Sequence, residues 1–258
     1  MTPRESRQEH WDSYWDSAPA EEIYESVGDL AAELAAHRNL AGAAILEVGA
    51  GSGRDSLNLA KLGAKVTVLD YSPSALRVVG THDKDGKLSL SRGDALSLPF
   101  PDGSFDIVFH QGLLEHFRDP RPLLAENARV LKTGGLILVD VPQRWHIYTL
   151  IKRTLILLNR WFAGWECSFS ARELEGLLRE QGLSPTETYA DWPVPGLFYR
   201  MLRKSLGMLG IKLPQYPKPW PLVGPALERL RKNLRYRRLG HYSAMVIGVM
   251  AEKEKAGS

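Results

Sequence analysis

Cysteine is almost absent from this 258-residue chain, which has only Cys167. A single thiol excludes an internal disulfide framework and fits a reducing compartment. No cluster of histidine and cysteine stands at zinc-ligand spacing, so no metal is expected. Long apolar runs are missing as well. None approaches the roughly 20 residues that a spanning helix needs. The opening Met1-Thr2-Pro3-Arg4-Glu5 lacks the apolar core of a signal peptide. A cytoplasmic protein is therefore expected, with peripheral contact to a membrane left open. Acids are scarce in one segment. Residues 196–240 hold eleven Lys/Arg and one acid, Glu228, against totals of 33 and 30 for the chain. That leaves 22 basic and 29 acidic residues elsewhere, so the net charge of +3 divides into about +10 and about −7. Such a split points to a local anionic partner and not to a generally basic protein. The remaining composition, 44% hydrophobic, is ample for one large α/β domain with elaborations.

The chain is organised around Ala44-Ile45-Leu46-Glu47-Val48-Gly49-Ala50-Gly51-Ser52-Gly53-Arg54-Asp55. The apolar run is too short for a helix and suits a buried parallel strand. Three glycines at alternate positions follow. Leu57, Leu59, Ala60 and Leu62 then set the phase of an amphipathic helix that ends at Gly63. Glycine serves where the backbone turns through positive φ or where a ligand leaves no room for a Cβ. The turn also offers unpaired N–H groups at a helix start. The spacing departs from the dinucleotide pattern G-x-G-x-x-G, because the third glycine is Gly53 and Arg54 stands where that glycine would be. Glu47, at the strand end, would repel a pyrophosphate and suits a cationic or hydroxyl-bearing ligand. The next strand, Lys65 to Leu69, ends at Asp70. An acid about 20 residues past the glycines is placed to accept ribose hydroxyls. These residues describe a nucleoside ligand without a phosphate chain, carrying a positive or amino-acid portion.

Glu47-x-Gly49-x-Gly51-x-Gly53, followed by Asp70-Tyr71-Ser72, resembles the class I S-adenosylmethionine-dependent methyltransferases. His110-Gln111-Gly112-Leu113-Leu114-Glu115-His116, after a fourth apolar strand at Ile107 to Phe109, is similar to the small-molecule subgroup that includes the quinone-biosynthesis O-methyltransferases. The likeness is strong over residues 40–142 and weak beyond them. It implies a doubly wound, mostly parallel seven-stranded α/β sheet of Rossmann-like type, with helices on both faces and an antiparallel last strand. It also implies S-adenosyl-L-methionine as methyl donor and S-adenosyl-L-homocysteine as product. The residues it assigns to the donor are Glu47, Gly49, Ala50, Gly51, Gly53, Asp70, Tyr71, Asp94, Ala95 and Gln111. Asp94 follows the third strand, Leu88 to Leu90, where the family places an acid against the adenine amino group. Some relatives build a metal site on the Glu-His pair and an upstream acid. Here that neighbourhood reads Gln111-Gly112, so no metal is carried over. Glycines, Asp70, Asp94 and Gln111 all stand at carboxyl ends of strands, where open parallel sheets bind ligands.

The domain reading follows from these elements. Residues 1–40 form an N-terminal helical cap, in which Trp11, Tyr14 and Trp15 serve either as a lid over the cofactor or as core. The methyltransferase core takes residues 41–192 and 241–258. Ser72-Pro73 caps the second core helix, and Arg121-Pro122 opens another that Lys132-Thr133-Gly134-Gly135 stops. Leu136 to Val141 is the fifth strand. Ser168 to Leu174 starts a helix with Ser170 as cap and Glu173 at N3. Leu183 to Tyr189 is the sixth strand and His241 to Met250 the last.

Two segments fall outside this scheme. Residues 145–166 are an apolar insert, whose stretch Trp145 to Phe162 contains cations, many apolar residues and no acid. It reads as a lid helix over an apolar substrate or as a helix lying on a membrane. Residues 193–240 are a basic, proline-rich insert: seven of the 16 prolines lie between Pro193 and Pro225, including Pro217-Lys218-Pro219-Trp220-Pro221. Cations interleaved with aromatics suit nucleic acid, anionic lipid or a phosphorylated substrate, and also serve as a solvated helix face. No RNA-binding signature accompanies them, so nucleic acid is not expected.

Methyl transfer from a sulfonium is an in-line displacement that asks the protein to align donor and acceptor and exclude water. His116, just past the fourth strand, is the candidate base, and Glu115 is placed to orient it. The expected partner is a small, lipophilic methyl acceptor. Two rival readings remain in view: a non-catalytic binding module that uses its basic insert on membranes or RNA, and an NAD-dependent oxidoreductase, which Arg54 and Glu47 disfavour.

Overall fold

Alternation decides which side of the sheet each strand residue serves. In β1 (Ala44–Val48), Ile45 belongs to one core layer while Leu46 and Val48 belong to the other. The same split runs through the neighbouring strands, so both faces are apolar and both are covered by helices. The computed structural model describes residues 8–17, 30–161, 163–218 and 223–254. Met1-Thr2-Pro3-Arg4-Glu5, residues 18–29 of the expected cap, Phe162 and Pro219-Trp220-Pro221 lie outside the described residues.

The strands that follow are β2 (Lys65–Asp70), β3 (Leu88–Arg92), β4 (Phe105–Gln111), β5 (Leu131–Pro142), β6 (Leu183–Asp191) and β7 (Val246–Lys253). They form one sheet in the order β3-β2-β1-β4-β5-β7-β6. The first five pair in parallel, and β7 runs antiparallel to both β5 and β6. This is the expected doubly wound seven-stranded arrangement. Strand order reverses between β1 and β4, which opens a crevice at their carboxyl ends.

Helices α2 (Leu30–His37), α3 (Arg54–Lys61) and α4 (Pro73–His82) cover one face through Leu34, Leu59 and Val79. Helices α5 (Arg121–Val130) and α7 (Ala171–Arg179) cover the other through Leu123, Leu124, Leu174 and Leu178. Local signals fix their starts. Ser72 caps α4 by accepting from the Ala75 N–H, with Pro73 at the first turn. Ser170 and Glu173 form a reciprocal capping box at α7. Helix α1 (Gln8–Ser17) buries no residue of its own and docks on α4: the Ser72 hydroxyl donates to Asp12, and Arg77 pairs with Asp16 at 2.8 Å.

Three expected boundaries shift. The fifth strand begins at Leu131, not Leu136. Phe105 pairs with Leu131 and Ile107 with Leu136, so Lys132–Gly135 is an extended excursion with positive φ at Gly134. The apolar insert's helix, α6, runs Ile147–Leu157 only. His146 caps it by accepting from the Tyr148 N–H, which leaves Trp145 outside. The last strand starts at Val246 and not at His241, because Arg238–Ser243 forms helix α10, whose His241 ring meets the Thr188 carbonyl at 3.0 Å. Between β6 and α10, the basic insert forms α8 (Leu197–Met208) and α9 (Val223–Leu234).

Candidate active site

The glycine turn after β1 is shaped by three different demands. Gly49, Gly51 and Gly53 all take positive φ, at 82°, 50° and 68°. A Cβ on Gly53 would lie 2.7 Å from Val79 Cγ1, so that glycine admits α4 against the turn. A Cβ on Gly49 would press on Leu113 at 3.3 Å. A Cβ on Gly51 would meet nothing within 4 Å, because Gly51 faces a cavity.

That cavity has a volume of about 290 Å³, near the lower edge of the ~300–1,000 Å³ of small-molecule pockets. It lies over the carboxyl ends of β1, β2, β3 and β4. Gly49 and Gly51, Asp70 and Tyr71, Asp94 and Ala95, and Gln111 line it, together with His116. Trp11 and Trp15 close it from α1. Both tryptophans line the cavity, and Trp15 also packs on the core layer beneath α2, α3 and α4. Leu69, Leu113 and Phe117 supply apolar wall that sequence reasoning did not single out.

Three of the expected donor residues are not in the lining. The Ala50 N–H donates to Asp70 Oδ2 at 2.9 Å, which places Ala50 behind the acid. Gly53 packs on α4. Glu47 is buried under α3, where the Ser56 hydroxyl donates to its Oε2 at 2.5 Å, and burial pushes its pKa well above the usual carboxylate range.

Asp70 is held from both sides, by the Ala50 N–H on Oδ2 and the Ser72 N–H on Oδ1 at 2.8 Å. Burial raises its pKa, and the backbone donors oppose that shift. A carboxylate offers about four acceptor positions. Asp70 lines the cavity, and its backbone donors leave it acceptor capacity for a ligand hydroxyl. Gln111 is likewise anchored: its Nε2 donates to Asp140 Oδ2 at 2.7 Å, and Tyr189 Oη donates to Asp140 Oδ1 at 2.6 Å. Burial pushes the Asp140 carboxyl up to about 7. This anchor was not foreseen. Its signal was Gly248 on β7, where a Cβ would come within 2.2 Å of both Asp140 and Tyr189.

His116 ends a short 3₁₀ turn, Leu114–His116, with the Trp11 ring edge-on at 4.9 Å. Burial lowers its pKa, and its Nδ1 has no hydrogen-bond partner. The imidazole is thus neutral near pH 7 and able to accept a proton. Glu115, expected to orient it, turns away into a buried charge cluster. Lys152 on α6 is fully buried and donates to Glu166 Oε2 at 2.8 Å and to the Cys167 carbonyl at 3.2 Å. Trp161 donates to the other oxygen of Glu166 at 2.7 Å. Burial and the neighbouring Glu166 raise the pKa of Glu115. No group of three or more metal-ligating side chains occurs among the described residues.

A methyltransferase-domain family model matches residues 46–139, the stretch from β1 to β5 that builds this rim. Over that stretch the chain is similar to the methyltransferase-domain family. It is 31% identical over 207 residues to 2-methyl-6-phytyl-1,4-hydroquinone methyltransferase of a Synechocystis strain, covering 73% of this chain and 63% of that enzyme. It is 34% identical over 114 residues to ubiquinone biosynthesis O-methyltransferase of Xanthomonas oryzae pv. oryzae, covering 43% of this chain and 48% of the relative. The chain thus spans about half the length of the ubiquinone-type relatives it matches. Among solved structures, the fold matches a Haloferax volcanii methyltransferase crystallised with the activator Trm112 (TM-score 0.65, 21% identity, 96% of this chain and 99% of that one). The quinone-type likeness and the mostly parallel sheet agree with what the sequence motifs imply.

Proposed function

We propose that this class I methyltransferase transfers a methyl group from S-adenosyl-L-methionine to a small, lipophilic acceptor. The observation that carries the reading is convergence: four strand ends contribute one cavity, and the chemistry at each suits one part of the donor. Asp70 accepts the ribose hydroxyls and Asp94 meets the adenine edge, with Tyr71 and Ala95 beside them. Gly49 and Gly51 let the methionine portion approach the backbone, and Gln111 bounds the far side. Glu47, Ala50 and Gly53 hold the turn in shape behind this surface. The bound donor supplies an electrophilic methyl on a positive sulfur. The chain's own part is to orient the acceptor in line with that bond and to keep water out, which Trp11, Trp15, Leu113 and Phe117 do by walling the cavity with apolar surface.

His116 is the proposed base for an acceptor hydroxyl or amine. It lines the cavity, and burial lowers its pKa so that the ring is neutral near pH 7. The likeness to enzymes named for quinone-type substrates supports an apolar ring acceptor. Thermal shift with S-adenosyl-L-homocysteine tests the donor reading: a rise in Tm is expected for the native chain and a much smaller one for Asp70→Ala. Since Asp70 also accepts two backbone N–H groups, Asp70→Asn, which keeps one acceptor oxygen, serves as the better-folded control. No shift at millimolar ligand overturns the reading. Lipid extracts incubated with radiolabelled donor would then identify the acceptor class, with label transfer reduced by about 100-fold in His116→Gln.

A further inference from the structure

Two helices of this molecule turn their apolar sides to water. On α6 the buried positions are Thr149, Lys152 and Ile156, so the inward face carries a lysine. The outward stripe is Ile147, Leu150 and Leu157, continued by Leu158, with Leu157 74% exposed. Helix α8 repeats the inversion. Phe198, Met201, Leu202 and Met208 make a single stripe at helical spacing, and Phe198 and Met208 are 69% and 78% exposed. The half-buried residues of α8 are Leu206 and three polar ones: Tyr199 donates to the Pro214 carbonyl at 2.7 Å, Arg200 to Pro195 at 2.8 Å and Arg203 to Leu213 at 3.3 Å. The Arg200 charge on α8 acts on the Tyr148 phenol of α6. A helix on a water-facing surface has the opposite arrangement.

The same segments carry exposed cations. Arg153, Arg160, Lys204 and Lys212 are exposed, and the α9–α10 region, next in the chain, adds exposed Arg229, Lys232, Arg237 and Arg238. From residue 196 to 240 the only acid is Glu228. We infer that α6 and α8 form a docking surface for an anionic lipid bilayer. The stripes enter the acyl boundary while the cations hold headgroup phosphates. Charge complementarity selects this occupant. A second copy bound face to face would set cations against cations. Nucleic acid would neutralise the cations but leave the leucine and methionine side chains wet. Rotating α6 inward as a lid would pull Lys152 from Glu166. The inference goes beyond methyl transfer and does not depend on it.

Co-sedimentation of the full chain with vesicles tests it, using phosphatidylcholine alone and phosphatidylcholine mixed with phosphatidylglycerol. Binding to the mixed vesicles is expected, weakened by salt and at least about tenfold weaker on the neutral ones. Phe198→Glu/Met201→Glu on α8 and Leu150→Glu/Leu157→Glu on α6 are each expected to lose about tenfold or more in vesicle affinity. These positions are exposed, so the variants keep their fold, and their Tm verifies it. Three results overturn the inference: no pelleting with mixed vesicles, pelleting that ignores the glutamate substitutions, or a concentration-dependent dimer or RNA complex abolished by the same substitutions. S-adenosyl-L-homocysteine affinity, measured on each sample, separates the two readings, since a failed surface leaves donor binding intact.

Discussion

On α5 the leucines face the sheet; on α6 and α8 a stripe of apolar side chains faces water. Leu123 and Leu124 on α5 are fully buried, whereas Leu150 and Leu157 on α6 are exposed and Lys152 between them is fully buried. The first region obeys the packing logic of a self-contained domain. The second places apolar surface where only an external partner can cover it, and stabilises itself through polar contacts beneath. The contrast separates two jobs. One region completes a cavity from its own side chains, and the other is completed by something outside the chain.

The sharpest way to break this comparison is at Lys152. Lys152→Met leaves Glu166 buried without its cation and is expected to cost about 3–5 kcal/mol. Adding Glu166→Gln should restore most of that, because a neutral pair tolerates burial better. Urea denaturation reads both, and equal losses in the single and double variants would show that α6 is held by apolar packing instead. Next in size is a pair of matched leucines. Leu124→Ala is expected to cost about 3 kcal/mol through the cavity it leaves, while Leu157→Ala changes stability by no more than about 0.5 kcal/mol. A comparable loss at Leu157 would mean that its stripe is covered within the chain.

Within the rim, the glycines sharpen the distinction between fold and site. Gly53→Ala combines positive φ with the Val79 contact and is expected to cost about 2 kcal/mol. Gly51→Ala meets only the φ cost, about 1 kcal/mol, yet puts a methyl into the cavity and should weaken S-adenosyl-L-homocysteine binding about tenfold. Calorimetry on both variants would show the reverse ranking if Gly53, not Gly51, faced the ligand.

A further effect is one of pH. The folded pKa of Asp140 is raised to about 7, above the unfolded value of about 3.9. Between those values the native state keeps a proton that the unfolded chain has released. Its contribution is fully present below about pH 4 and is lost as pH rises toward 7. Glu115 is shifted in the same direction. Asp140→Asn should therefore flatten the dependence of the denaturation midpoint over that window, and an unchanged slope would refute the assignment.

Strand positions, helix caps and the rim were legible because each is written locally. Short apolar runs gave the strands, Ser72-Pro73 and Ser170 with Glu173 gave the helix starts, and acids at strand ends gave the cavity's polar wall. What stayed hidden depends on pairs distant in sequence. Nothing near Asp140 announces Tyr189, and only Gly248, the cross-strand partner of both, records how closely they approach. Lys152 carried a signal of another kind, since it falls in phase with Thr149 and Ile156 on the side that became buried. The reading of residues 145–162 as a lid helix or a helix on a membrane did not single it out. Glu47 was read as a ligand group because it ends a strand, but its position in the pleat points it to Ser56.

Isothermal titration of S-adenosyl-L-homocysteine into the purified full chain tests the central assignment most directly. One molecule bound per chain is expected, with affinity lost in Asp70→Ala and reduced in Gly51→Ala. A folded protein that gives no heat at millimolar ligand, or that binds equally well without the Asp70 carboxylate, would contradict it.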